Sequence, residues 1–175
     1  MDIVKSLEIL SPGLLTTVQD LGRTGFGRFG VPPSGALDSF SLRVANLLVG
    51  NPEGEAGLEI TLMGLKVRFL TDLTVALCGG DLQPHLNEEP FEMWRSQVVG
   101  KGDTLFVKAP RTGCRAYLAV GGGISIAPVL ASKSTNLASK FGGYQGRALR
   151  KGDLLFSRSP VQHFQSAEKA FNPEG

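Results

Sequence analysis

The sequence predicts an all-β domain with one principal helix and a sheet that is closed or nearly closed. Three observations carry that expectation. Apolar and polar residues alternate with a period of two, most clearly around Leu58-Ile60-Leu62, Leu65-Val67-Phe69 and Leu73-Val75-Leu77. Only one stretch, from Asp38 to Gly50-Asn51-Pro52, switches clearly to helical spacing. The 23 glycines in 175 residues supply turns between short strands, and closure protects the edges that many short strands expose.

Residues 3–10 and 14–19 read as two strands around the Ser11-Pro12-Gly13 turn. The helix starts at Asp38 or Ser39, where a side-chain oxygen accepts a free backbone N–H. Phe40, Val44, Leu47 and Leu48 form its expected buried face, with Arg43 and Asn46 on another. Gly50 and Pro52 stop it. Strands 58–62, 65–69 and 73–77, joined at Gly64 and Thr71-Asp72, read as a meander with one buried face. Residues 81–100 are mixed, with Met93 and Trp94 placed at one end of the core. Strands 104–108 and 114–120 flank Pro110-Arg111-Thr112-Gly113, and a last strand covers 154–157. Lys-Gly-Asp-x-Leu-Phe occurs at 101–106 and again at 151–156. Two copies make no solenoid, so each reads as a turn launching a barrel strand. The domain is expected over 1–158, with 159–175 a polar tail or the start of a linker.

Bulk properties narrow the function. The chain suits one domain, burying about 70% of its unfolded surface. A formal net charge of +2 with scattered basic residues gives no stripe for a phosphate backbone, which argues against nucleic-acid binding. Cys78 and Cys114 fit neither a zinc pattern nor a disulfide framework and read as buried reduced thiols. The N-terminus, with Asp2 and Glu8, is not a signal peptide. The longest uncharged stretch, Ala116 to Ser132, holds three glycines and a proline and is too short to span a membrane. A cytoplasmic protein is expected.

The polar residues concentrate in 17–60. Gln19-Asp20 and Arg23 lead into glycines 22, 25, 27 and 30, and then Pro32-Pro33. Gly25-Phe26-Gly27-Arg28-Phe29-Gly30 fits G-x-G-x-x-G formally. A dinucleotide fingerprint needs its last glycine in a helix, whereas Pro33 bars its predecessor from α-conformation. The segment is either a structural loop or a hairpin whose amides cradle a phosphate. Asp20 and Arg23 form a pair across the turn that matters only if buried. Glu59 reads as a solvated strand residue or a site carboxylate, and Asp38 as a helix cap. Asn46 needs a partner if buried. His85 and His163 have no acid or nucleophile partner at a readable spacing, and no Ser-His-Asp, Cys-His or HExxH pattern occurs.

The run TTVQDLGRTGFGRFGVPPSGALD, then RVANLLVGN, LEIT, RAYLAVGGG, SKSTNL and FGGYQGRALRKGD, resembles the allophanate-hydrolase-subunit-2 family. That family includes KipA, the C component of the bacterial ATP-dependent 5-oxoprolinase and the carboxyltransferase region of urea carboxylase. The resemblance implies a cyclophilin-like β-barrel and a partner of the KipI type, equivalent to the B component of 5-oxoprolinase. It also implies a small amide or lactam substrate, ATP with Mg2+ used through the complex, and biotin only under a carboxyltransferase reading. Family members are usually longer, so the chain is expected to represent a first half. Ala131, Lys133 and Asn136 depart from the glycine, arginine and aspartate expected there.

Under this resemblance Arg23 and Arg147 are expected to bind anions, with Ser134, Thr135 and the Gly142 and Gly143 amides as donors. Asp20 and Glu59 orient the arginines or hold a metal, although no metal site is assigned, and Gln19 and Asn46 position the amide. The glycine-and-arginine segment should fold over the barrel mouth and meet the loop near Arg147. Three functions stay open: 5-oxoproline lactam cleavage, carboxyl transfer to a urea-like amide, and KipA-like sequestration of a KipI-like kinase inhibitor.

Overall fold

The computed structural model describes residues 2–158 and 169–173. Eleven strands and one α-helix occur among the described residues. They are β1 (Ile3–Pro12), β2 (Leu15–Gln19), α1 (Ser39–Leu48), β3 (Gly57–Thr61), β4 (Leu65–Phe69) and β5 (Leu73–Gly79), followed by β6 (Pro84–Leu86), β7 (Glu89–Pro90), β8 (Ser96–Val99), β9 (Thr104–Val107), β10 (Arg115–Val120) and β11 (Leu154–Arg158). The all-β class with one principal helix holds.

The strands divide into two antiparallel sheets, ordered β11-β1-β4-β9-β6-β7 and β2-β3-β10-β5-β8. They do not close into a barrel. One apolar cluster joins Leu7, Val67, Phe69 and Leu105 of the first sheet to Leu58, Val75, Leu77 and Leu118 of the second, so the core lies between them. The expected meander is corrected for the same reason. β3 and β5 belong to the second sheet and β4 to the first, so each tight turn carries the chain across the core. Leu62, at a left-handed φ of 62°, begins the first crossing.

Both Lys-Gly-Asp turns launch strands as expected, and by the same bonds. The amides of Gly102 and Gly152 donate to Phe69 and Ile9 carbonyls at 2.8 Å, while Asp103 and Asp153 carbonyls accept from the Phe69 and Ile9 amides at 2.9 Å. Residues 81–100 follow no single period because left-handed Gln83, Asn87, Glu88 and Trp94 interrupt it.

Helix α1 begins where expected. Asp38 Oδ1 accepts from the Ser41 amide at 3.1 Å. Its buried face is Leu42, Val44, Ala45 and Leu48, of which Val44, Ala45 and Leu48 pack on Ala76, Cys78 and Ala119 of the second sheet's outer side. Phe40 and Leu47, expected inside, are 55% and 54% exposed. Phe40 instead meets Trp94 and Phe171 in an aromatic cluster. The tail returns there, the Phe171 amide bonding to the Trp94 carbonyl. His163 and the rest of 159–168 lie outside the described residues. Cys78 is buried as expected, but Cys114 is exposed, one residue short of β10.

Candidate functional site

The second sheet has an apolar inner face and a polar outer one. Val18, Leu58, Leu118 and Leu77 lie in register across β2, β3, β10 and β5 and are wholly buried in the core. One residue along, the row is Thr17, Glu59, Tyr117 and Cys78. Strand alternation therefore sends Thr17, Gln19, Glu59 and Tyr117 to the outer side. Helix α1 covers the β5–β10 end of that face.

At the end of β2 the chain meets residues 132–135. Asp20 Oδ1 accepts from the Gly22 amide (2.7 Å), Ser132 Oγ (2.7 Å) and Ser134 Oγ (2.5 Å), and Oδ2 accepts from the Lys133 amide (2.6 Å). Burial works against the charge, but those four donors outweigh it and hold the carboxyl below its ordinary range. Asp20 is thus an ionised hub that orders a loop, with three of its four bonds on Oδ1 and one on Oδ2.

Arg23 is 2% exposed. Its Nη2 donates to the Ser134 carbonyl at 2.6 Å, Nε reaches the Val129 carbonyl at 3.4 Å, and the guanidinium lies 4.7 Å from the Phe141 ring centroid. Burial lowers its pKa and Asp20 opposes that shift. No ion pair joins the two among the described residues, so the expected pair is replaced by two separate contacts with one loop. Gly142 and Gly143 back this arrangement, at φ of 68° and 51°. A Cβ on Gly142 would strike the Ser134 carbonyl and come within 2.7 Å of Arg23 Nη2, and one on Gly143 would strike Thr135 Oγ1. Their role here is close backbone approach.

Gln19 Nε2 donates to Thr17 Oγ1 (3.0 Å) and the Thr135 carbonyl (3.3 Å), while Thr135 Oγ1 donates to the Val18 carbonyl. Asn136 Oδ1 accepts from the Ser139 amide at 3.0 Å. Three buried polar atoms of this group have no hydrogen-bond partner: Gln19 Oε1, Arg23 Nη1 and Asn136 Nδ2.

The remaining candidates make other contacts. Glu59 Oε2 accepts from the Leu37 amide and Tyr117 hydroxyl, and Tyr117 accepts from the Asp38 amide, tying down residues 37–38. Burial first, then the adjacent Glu59, pushes the Tyr117 phenol strongly upward. Asn46 Nδ2 donates to the Glu55 carbonyl at 2.6 Å and its Oδ1 accepts from Asn51, fixing the helix exit. Arg23 meets the loop before Arg147 at Phe141 and Gly142, while Arg147 has partners of its own. It forms a bidentate pair with Asp153 at 2.7 and 2.8 Å and stacks on Tyr144.

The glycine-rich segment uses three of its own donors. The Phe29 and Val31 amides donate to the Phe26 carbonyl and the Gly30 amide to Gly27, so these three are withdrawn from any phosphate cradle. Among the described residues no three His, Cys, Asp or Glu side chains gather as a metal site, and no helix is long and apolar enough to cross a membrane.

Sequence reasoning missed Ser132, Tyr117, Asn136 and Asp153 as contributors. Tyr117 carried a signal, since it alternates with core residues 116 and 118. The others sit in irregular chain, where spacing carries no face.

Residues 29–174 match the family described as carboxyltransferase domain, subdomain A and B. The chain belongs to this family. The C component of the Escherichia coli 5-oxoprolinase is 46% identical over 150 residues, 85% of this chain and 48% of that protein. The urea amidolyase of Lachancea kluyveri is 45% identical over 156 residues, 89% of this chain and 8% of that protein. The crystal structure of the K. lactis urea amidolyase superposes with a TM-score of 0.86 at 45% identity, covering 91% of this chain and 10% of that one. TTHA0988 gives 0.88 at 35% identity, covering 97% and 33%. The chain therefore spans less than half the length of these relatives, and a small fraction of the urea amidolyases.

Proposed function

We propose that this chain is part of a C-type component of an ATP-dependent 5-oxoprolinase, which opens the 5-oxoproline lactam to glutamate together with a KipI-like partner, the B-type component of such a complex. The observation that carries this reading is the 46% identity to the E. coli 5-oxoprolinase component over 85% of the chain. The geometry is compatible with it: a buried cationic group, Arg23, and the amide side chain of Gln19 bond to the consecutive carbonyls of residues 134 and 135, next in the chain to Asn136. A lactam resists hydrolysis because its nitrogen lone pair is delocalised into the carbonyl. Fixed donors at that oxygen favour the charge that develops there when the bond is attacked.

Three amides of the glycine loop, those of Phe29, Gly30 and Val31, and the Arg147 guanidinium are already committed. ATP with Mg2+ is assigned to the complex. A partner has a surface to meet: Leu37, Phe40 and Leu47 are 73%, 55% and 54% exposed on and beside α1.

A second reading is favoured by the family itself and by the urea amidolyase relatives: carboxyl transfer from biotin to a urea-like amide. The two separate in one experiment. The full-length protein is purified with its co-purifying partners, blotted with avidin, and assayed for ATP hydrolysis dependent on 5-oxoproline. 5-Oxoproline-dependent hydrolysis without a biotinylated species supports the oxoprolinase. A biotinylated partner and urea-dependent turnover replace it with the carboxyltransferase.

A further inference from the structure

Gln19 and Arg23, which bond to residues 134 and 135, and Asn136, the next residue, each leave one polar atom without a partner, and the identity of each atom is fixed by what the rest of the side chain does. Gln19 is oriented by its Nε2, which donates to the Thr135 carbonyl, a group that only accepts. Its spare atom is therefore the acceptor Oε1. Asn136 is oriented by the Ser139 amide, which only donates, to Oδ1. Its spare atom is the donor Nδ2. Arg23 spends Nη2 on Ser134 and Nε on Val129, leaving the donor Nη1. The side chains are 6%, 5% and 2% exposed, and the three atoms are shielded from solvent.

All three are anchored to one short segment. Gln19 and Arg23 bond to the carbonyls of consecutive residues, Thr135 and Ser134, and Asn136 is the next. Arg23 stacks on Phe141, whose backbone pairs with that of Asn136 in both directions, at 2.9 and 3.2 Å. Leaving a buried polar atom unpaired costs about 1–3 kcal/mol, and native proteins leave few in that state. Three such atoms anchored to one short segment mark a candidate site for a ligand.

We infer that Gln19 Oε1, Arg23 Nη1 and Asn136 Nδ2 form a binding site for a neutral N–C=O group, a lactam or a ureido unit. The carbonyl oxygen of the ligand accepts from Arg23 and Asn136, and its N–H donates to Gln19. A carboxylate satisfies the two donors but brings no N–H for Gln19 Oε1, so an N–C=O group is the one that meets all three. The assignment of a natural ligand rests on the amide-substrate reading proposed for the protein, and Asn136 becomes a specificity-determining residue for it.

The test measures binding of small probes to the full-length protein by saturation-transfer NMR and calorimetry. The probes are 2-pyrrolidinone, N-methyl-2-pyrrolidinone, urea and inorganic phosphate. 2-Pyrrolidinone is expected to bind, with the N-methyl compound weaker by about tenfold for the lost hydrogen bond, and phosphate is expected not to displace it. Asn136→Asp keeps the oxygen that Ser139 uses and replaces only the free donor, so its fold should persist, with 2-pyrrolidinone binding falling about tenfold or more. Urea binding with the same dependence on Asn136 supports the site while favouring the carboxyltransferase reading. The inference is overturned if no N–C=O probe binds, if N-methylation costs nothing, or if phosphate competes. The N-methyl comparison uses wild-type protein and stands even if the variant misfolds. Absence of 5-oxoproline-dependent ATP hydrolysis removes the oxoprolinase reading alone.

Discussion

Asp20 and Ser134 are hydrogen-bonded to each other twice. The Asp20 amide donates to Ser134 Oγ at 3.0 Å, and Ser134 Oγ donates back to Asp20 Oδ1 at 2.5 Å. This reciprocal contact closes a separation of 114 residues and fastens the end of β2 to the loop that carries Asn136. Asp20→Asn keeps one acceptor oxygen but turns an N–H toward the Lys133 amide. The expected cost is about 2–4 kcal/mol, from one charge-assisted bond and one stranded buried amide, read as a lower urea midpoint.

The same carboxylate sets an acid limit. Asp20 and Asp153 both sit below the ordinary aspartate value when folded. A lowered folded pKa gives stability that is complete above the unfolded value and lost as pH falls through the folded one. Stability should therefore hold from neutral pH to about pH 5 and decline below about pH 4. Asp20→Asn should flatten part of that decline when denaturant midpoints are compared at several pH values.

Much of this fold is legible in the sequence, and the limits have physical causes. Alternation in 65–69 shows that β4 buries Leu65, Val67 and Phe69, but not which sheet it joins, because either arrangement buries the same face. The helix period locates α1 correctly. Phe40 and Leu47 mislead because an apolar stripe wider than the contact looks the same whether its excess faces core or surface. Gln19, Asp20 and Arg23 stand out by residue type. Asn136 and Asp153 do not, because their importance comes from atoms left free or occupied, and spacing does not record that.

Two glycines should respond differently to the same change. Gly142→Ala places a Cβ against the Ser134 carbonyl and beside Arg23 at a positive φ, and should cost about 1–3 kcal/mol. Gly27→Ala meets nothing within 4 Å and carries no positive φ, and should stay within about 0.5 kcal/mol of wild type. Thermal melts of both variants decide the matter.

Arg147 should behave as a structural residue. Its side chain is 23% exposed and that of Asp153 11%, so Arg147→Ala is expected to cost about 1–2 kcal/mol, between exposed and buried pairs. The affinity for 2-pyrrolidinone should not change. A loss of binding with the melting temperature intact would restore Arg147 to the site.

The two cysteines should differ in reactivity. Burial pushes the Cys78 thiol up to about 12, so it should stay unlabelled by a thiol reagent at about pH 8 in the folded protein. Exposed Cys114 should label readily. Mass spectrometry of the modified peptides should find an adduct on Cys114 alone before unfolding and on both after.

The most direct measurement is the KM for 5-oxoproline in ATP hydrolysis by the full-length protein with its partner, compared between wild type and Asn136→Asp. An intact variant whose KM rises about tenfold or more is the expected result. Equal KM values in two equally folded, active proteins would contradict a substrate site at Gln19, Arg23 and Asn136.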